Sequence, residues 1–344
     1  MSKQTSPEFI ATQQHEDLFR RHPERFSHSP HWNGQKFVNL ETGERNVKAI
    51  LTWLRTRQPS AWPCWVDNPV FAAPAPRHSP QLDQWHVHFI NHATVLWQIG
   101  PYNLLTDPVF SERVSPFRFA GPRRVRAPGI ALQDLPPIDI VLLSHNHYDH
   151  MDIASLRYLH ERDHPQLITG LGNAHYLRRQ GIDAIHELDW WQSLSWKGLR
   201  IHYVPSQHFS GRGLRDRDQA LWGGMVVETA QGCGYFAGDT GWGRHFHDIA
   251  ERWPAFRLSL LPIGAYEPRW FMRLAHINPE EAVRAHKLLR SSVSLAIHHN
   301  TFQLTDEPMN QPVLDLQIAL QTRELEPERF WVLAEGEGRD VPLL

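Results

Sequence analysis

An α/β or α+β sandwich is the fold class that the 344-residue chain predicts, and three observations carry it. Apolar runs of strand length come in clusters, segments of helical periodicity lie between them, and Gly, Pro and Asn mark the joints. Residues 1 to 80 read as an irregular N-terminal extension packed on a main body spanning 81 to 344. Its convincing helix is "ERNVKAILTWLRT", where Val47, Ile50, Leu51 and Leu54 follow the spacing of one apolar face. In "QWHVHFI" Trp85, Val87 and Phe89 alternate with more polar neighbours; "TVLWQIG" follows, and Gly100, Pro101 and Asn103 supply turn chemistry, so a hairpin is expected. "IDIVLLSH", after Pro136 and Pro137, is apolar without alternation, as in a strand covered on both faces. "ASLRYLHER" and "NAHYLRRQ" read as helices, "RIHYVPSQH" as a strand entering a loop, and "MVVET" with "GYFAGDT" as a hairpin pair. In "NPEEAVRAHKLLR" Asn278 suits the N-cap, Pro279 the first turn, and the two glutamates the positive end of the helix dipole. "SVSLAIHHN" is a further strand ending in histidine.

Bulk composition removes several classes of function. Lys+Arg 35 against Asp+Glu 37 leaves a formal net charge of -2, so bulk electrostatics give no case for a nucleic-acid partner. Cys64 and Cys233 stand far apart and form neither a disulfide framework nor a thiolate metal site, which fits a reducing cytoplasm. The N-terminus lacks the apolar stretch of a signal peptide, and no later run approaches the roughly 18 apolar residues of a membrane span. A cytoplasmic protein is expected, with peripheral contact at the inner face of the membrane left open. The departure from ordinary usage is 23 His, and imidazole is the commonest metal ligand among side chains.

Those histidines concentrate in "VLLSHNHYDHMD". His145, His147, Asp149 and His150 crowd into six positions directly after an apolar strand, and a solvated turn has little reason to combine them so. Three further strand-like segments end in a competent ligand: His208, Asp239 and His298. Taken singly, His208 or His298 reads as a structural histidine; the cluster lends them support. Seven nitrogen or oxygen candidates suffice for two metals, since a catalytic zinc takes three protein ligands plus water and one carboxylate can bridge. Spacing alone leaves His298 and His299 open.

H-x-H-x-D-H, a distant His, the Asp of "GDT" and a last strand-end His resemble the metallo-β-lactamase superfamily. "NHATVL", "LLTDPVFSERVSPFRFAGPRR", "LPPIDIVLLSHNHYDHMD", "ELDWW", "FAGDTGW", "LPIGAYEPRWFM", "HINPEEAV" and "AIHHNTF" are similar to segments of the N-acylphosphatidylethanolamine-hydrolysing phospholipase D family over about residues 85 to 305. The resemblance implies a four-layer αβ/βα sandwich with two Zn2+ at one edge. It assigns His145, His147 and His208 to one zinc and Asp149, His150 and His298 to the other, with Asp239 bridging. The "AIH" frame selects His298, and strand alternation would point His299 the other way. Asp107 of "LLTDP" corresponds to a carboxylate that supports a metal-bound imidazole; a turn role before Pro108 competes equally. Asn91, where Gly is common, and "HHN", where Trp and Gly often follow the last ligand, depart from the pattern.

The implied reaction is attack of an ionised water on the phosphorus of a phospholipid or other small phosphodiester, with Asp149 also able to accept the proton of that water. Tyr148 and His276 match positions that lie against substrate in the family. Tyr266, Trp270 and Phe271, in a stretch expected to be a loop, suit acyl chains or a membrane interface, with core packing an equal explanation. Arg118, Arg123, Arg124 and Arg126 suit anionic headgroups if exposed. The rival reading is a lactonase acting on a phosphorylated small molecule. A nuclease is disfavoured by bulk charge and by the short interval from His208 to Asp239, and a non-catalytic metal-binding role by the complete ligand set. A homodimer is left open.

Overall fold

A computed structural model describes residues 26–41, 47–72, 81–117, 119–213 and 215–344. Helix α1 (Val47–Thr56) precedes the first sheet, which contains β1 (Trp85–Asn91), β2 (Thr94–Ile99), β3 (Tyr102–Thr106), β4 (Ile140–Leu143), β5 (Gln166–Gly170) and β6 (Ile185–Leu188). The second contains β7 (Ser193–Trp196), β8 (Leu199–Val204), β9 (Gly224–Thr229), β10 (Gly232–Phe236), β11 (Phe256–Pro262), β12 (Ser291–Ile297) and β13 (Phe330–Trp331). The chain returns through β14 (Gly338–Val341) to pair with β1, giving orders β14-β1-β2-β3-β4-β5-β6 and β13-β12-β11-β10-β9-β8-β7. In each sheet an antiparallel portion continues into parallel strands: β3 through β6 in one, β10 through β13 in the other.

Parallel strands need crossovers, and these supply the outer layers. Helices α2 (Ile153–Asp163) and α3 (Ala174–Arg179) cover the first sheet. Helices α4 (His245–Arg252), α6 (Pro279–Leu288) and α7 (Gln311–Thr322) cover the second; the short α5 (Arg269–Met272) lies between β11 and α6. The unbroken apolar run of β4 follows directly. Ile140 and Leu142 enter the core between the sheets, while Val141 and Leu143 pack under Leu156, Leu159 and Leu177. Helix α6 starts as its sequence demands: Asn278 accepts from the Glu281 backbone N–H, and the Glu281 carboxylate accepts from that of Asn278.

Two expectations change. Helix α1 forms, but Leu51 and Leu54 are 47% and 53% exposed, and the side chain of Val47 is outside the described residues. Its anchor is Trp53, stacked on Phe271 at 5.0 Å; one large ring buries more surface in a shallow contact than the aliphatic stripe does. The "YEPRWFM" stretch contains helix α5 and not only loop. Tyr266 and Phe271 are buried, with the Tyr266 hydroxyl donating to Asp315 at 2.5 Å, so only Trp270 faces outward.

Described residues ahead of β1 contact the sandwich at several points. Phe26, Trp32 and Phe37 join the central core, Asn39 bonds His208 and Trp222, and Trp62 donates to the carbonyl of Glu307.

Candidate metal centre

The chemistry-bearing residues come from both sheets and meet at one edge. The loop after β4 carries His145, His147, Asp149 and His150; the segments after β8, β10 and β12 carry His208, Asp239 and His298. All seven cluster, as do His92 and His276.

Two foci are visible. In the first, Nε2 of His145 lies 2.8 Å from Nδ1 of His147, and Nε2 of His208 lies 3.3 Å from the same atom. In the second, Oδ2 of Asp149 is 3.4 Å from Nε2 of both His150 and His298. Oδ2 of Asp239 reaches both: it stands 3.2 Å from His150, 3.1 Å from His298, 3.7 Å from His208 and 3.8 Å from Nδ1 of His276. One carboxylate oxygen thus touches each focus.

Electrostatics separate the two. Burial, then the neighbouring imidazoles, hold His145 well below the usual histidine range; burial likewise lowers His208, and lowers His147 to about 4. This focus presents neutral imidazoles, the form that binds metal. In the second, burial opposes charge, but the carboxylates outweigh it: Asp239 and Asp149 lift His150 far above the usual range and His298 to about 9. Reciprocally, those imidazolium groups hold Asp149 and Asp239 well below the usual carboxylate range despite burial. Protons here stand where a cation would.

The donor set fits divalent metal. It offers only imidazole nitrogen and carboxylate oxygen, which suits zinc, iron or manganese. Oδ1 of Asp239 is buried without a hydrogen-bond partner, a costly arrangement that a cation would relieve. The supports are also present. Asp107, fully buried, places Oδ2 2.6 Å from Nδ1 of His150 and accepts from the backbone N–H of Ser144 at 2.7 Å and its hydroxyl at 2.6 Å. Nδ1 of His208 stands 2.8 Å from the carbonyl of Ala275. Such contacts fix tautomer and ring direction.

His298 points inward for a reason other than strand alternation. Strand β12 ends at Ile297, and His298 has φ 62, so a left-handed residue turns its ring into the cage. His299 stacks on Phe89 at 5.4 Å instead. His276 reaches the cage. Tyr148 lies on the metal loop with its hydroxyl donating to the carbonyl of Arg212 at 3.0 Å and its ring under that residue's guanidinium at 4.0 Å. The arginines correct an expectation. Arg124 is buried and Arg126 is ion-paired with buried Glu335, leaving Arg123 exposed; Arg118 lies outside the described residues.

One residue escaped sequence reasoning. His92, in the turn between β1 and β2, is buried and places Nε2 3.1 Å from Oδ2 of Asp149. Its carbonyl accepts from the backbone N–H of His298 at 2.7 Å, so it holds one acidic and one imidazole member of the second focus together. Burial, then the charge on His298, lowers it to about 3, which keeps it neutral and able to donate to Asp149. In the sequence it stands inside "NHATVL", far from the H-x-H-x-D-H motif, and no spacing links the two.

A two-sheet sandwich whose edge gathers a His/Asp cage from both halves is the architecture of a metal-dependent enzyme. A family profile described as "Beta-lactamase superfamily domain" matches residues 102–299. The chain is 37% identical over 343 residues to N-acyl-phosphatidylethanolamine-hydrolyzing phospholipase D 1 of Caenorhabditis elegans, covering 90% of this chain and 96% of that protein. It is also 37% identical over 328 residues to an uncharacterized protein of Mycobacterium tuberculosis, covering 91% of this chain and 84% of the other. Among solved structures, a metallo hydrolase from Ignicoccus hospitalis superposes with a TM-score of 0.57 at 20% identity, over 76% of this chain and all of that one. The chain belongs to the metallo-β-lactamase superfamily and stands close to the N-acylphosphatidylethanolamine-hydrolysing phospholipases D.

Proposed function

We propose that the protein is a binuclear zinc phosphodiesterase of the phospholipase D type, acting on a phospholipid such as an N-acylphosphatidylethanolamine at the inner face of the membrane. The observation that carries it is the position of Asp239 Oδ2, within 3.8 Å of nitrogens from both foci. His145, His147 and His208 would hold one ion, Asp149, His150 and His298 the other, and Asp239 both. A bound pair of divalent cations supplies an ionised water at neutral pH and neutralises developing charge on phosphoryl oxygens.

The residues of the chain do the rest. Asp149 offers a carboxylate to accept the proton of the attacking water. His276, beside Asp239 and at the rim of the first focus, suits a phosphoryl or leaving-group oxygen. Tyr148, on the loop that carries four of the ligand candidates, offers its ring to the substrate. Asp107 and His92 orient His150 and Asp149.

The test is metal analysis of purified protein together with hydrolysis of a panel holding lipid phosphodiesters, a soluble phosphodiester and a lactone. Two equivalents of zinc with turnover on the phosphodiesters is expected. Turnover confined to the lactone overturns the substrate assignment. The role of His92 is checked separately: His92→Ala should weaken retention of one of the two ions by roughly 10- to 100-fold, the range for lost supports of metal ligands. Stepwise Co2+ titration followed by absorption reads this without an activity assay. Two equivalents bound with unaltered affinity would show that His92 only fills space.

A further inference from the structure

We propose that the hairpin joining β3 to the metal edge is a membrane wedge, with Phe117 and Phe119 entering the interface of a lipid bilayer. This rests on the lipid-substrate reading above and specifies how the protein would engage its substrate's surface. The tip is unusual for a soluble surface. Phe117 is 49% and Phe119 83% exposed, and their rings pack on each other at 5.7 Å without a covering partner among the described residues. Apolar side chains so placed gain nothing from water, whereas burial in a lipid interface recovers their transfer free energy.

The hairpin is braced, and it is braced to the site. Arg113 and Arg123 bridge its arms, and the Val114 backbone N–H donates to the carbonyl of Pro122 at 3.0 Å. At its root, buried Arg124 donates to the carbonyls of Ser111 and Val109 at 2.9 and 3.0 Å and lies over the ring of Phe302. Phe302 packs edge-on against His92, 5.3 Å away. Asp152, which caps α2 just past the metal loop, accepts from the backbone and hydroxyl of Ser111 at 2.9 and 2.8 Å. Two sets of contacts therefore tie the arm to the rim of the cage.

A bilayer is the occupant that the chemistry favours. Residues 111–129 contain five arginines against one acid, Glu112. Arg124 and Arg126 are engaged internally; Arg113, which donates to the carbonyl of Gly121, and exposed Arg123, paired with Glu112, flank the tip, and Arg118 separates the phenylalanines in sequence. Cations beside aromatics match a phosphate-bearing interface. A stable protein interface covers about 800 Å² on each partner, far more than two rings at a turn present.

The experiment is cosedimentation of the metal-loaded full chain with vesicles of phosphatidylcholine, with and without phosphatidylglycerol. Variants are F117S/F119S and R113Q/R123Q, each checked for an unchanged melting temperature and unchanged turnover of a soluble phosphodiester. Wild type should bind, and more on anionic vesicles. F117S/F119S should lose at least about tenfold in partitioning on both, and R113Q/R123Q should lose only the anionic increment. Equal binding by wild type and F117S/F119S, or no binding by wild type, overturns the proposal. So does a shift from dimer to monomer in F117S/F119S with vesicle binding intact, which would make the tip a contact between copies. Phenylalanine-dependent binding without hydrolysis of any phosphodiester would leave the wedge standing and remove the substrate assignment.

Discussion

Asp239→Asn is expected to leave a folded protein that loses both ions and, with them, turnover by roughly a thousandfold or more. The reasoning starts from charge. The carboxylate lies among His150, His298, His208 and His276 at 3.1 to 3.8 Å, so one oxygen stands close to both foci. An amide is the same size, so packing is preserved. It cannot offer an anionic oxygen to two cations, and its NH2 would face imidazole nitrogens or metal. Loss of ions should therefore appear before any loss of fold. Elemental analysis after gel filtration, paired with circular dichroism, separates the two effects. Two equivalents of metal and full turnover in the variant would remove Asp239 from the centre and leave the binuclear reading without its bridge.

Particular residues show how far the sequence reaches. The metal loop was legible because its four ligand candidates fall within six positions and follow an unbroken apolar run, as a doubly covered strand such as β4 needs. The N-cap of α6 was legible for a similar reason: Asn278, Pro279 and Glu281 act within one turn. What failed to show depends on contacts distant in sequence. His92 meets Asp149 across 57 positions through a left-handed turn, φ 45, that no spacing announces. The choice between His298 and His299 rested on likeness, and the structure settles their directions through φ at His298, where strand alternation has already ended. Arg124 reads as part of a basic run, yet its guanidinium is spent on carbonyls at the root of a hairpin. Helix α1 has a regular apolar stripe, and tertiary contact selects Trp53 instead.

The second large effect concerns the metal-stripped protein. Its melting temperature should fall as pH rises from about 6.5 to about 9, while that of the metal-loaded protein does not. His298 is raised in the folded state to about 9 from 6.5, because Asp239 and Asp149 outweigh the cost of burial. A raised histidine contributes stability that is complete below 6.5 and is lost as pH climbs through its folded value, here amounting to roughly 3 kcal/mol. His150 is raised as well and acts in the same direction. On the acid side the signs reverse. Asp149 and Asp239, depressed by those imidazolium groups against the opposing pull of burial, contribute stability that disappears as pH falls below the usual carboxylate range through their folded values. His92, His145, His147 and His208 are depressed by burial, so the unfolded chain gains protons first below 6.5. Stability of the stripped protein should peak near 6.5. A metal entering the second focus must displace the protons of His150 and His298, so its apparent affinity should increase across the same window. At the first focus, where the imidazoles are already neutral, pH should matter little. Thermal melts of chelator-treated and reloaded protein give the first result; calorimetric titrations in buffers of different ionisation enthalpy count the released protons. A stripped protein whose melting temperature is flat or rising between about 6.5 and 9 would mean that no imidazolium occupies the cage and that His150 and His298 meet the metal already neutral.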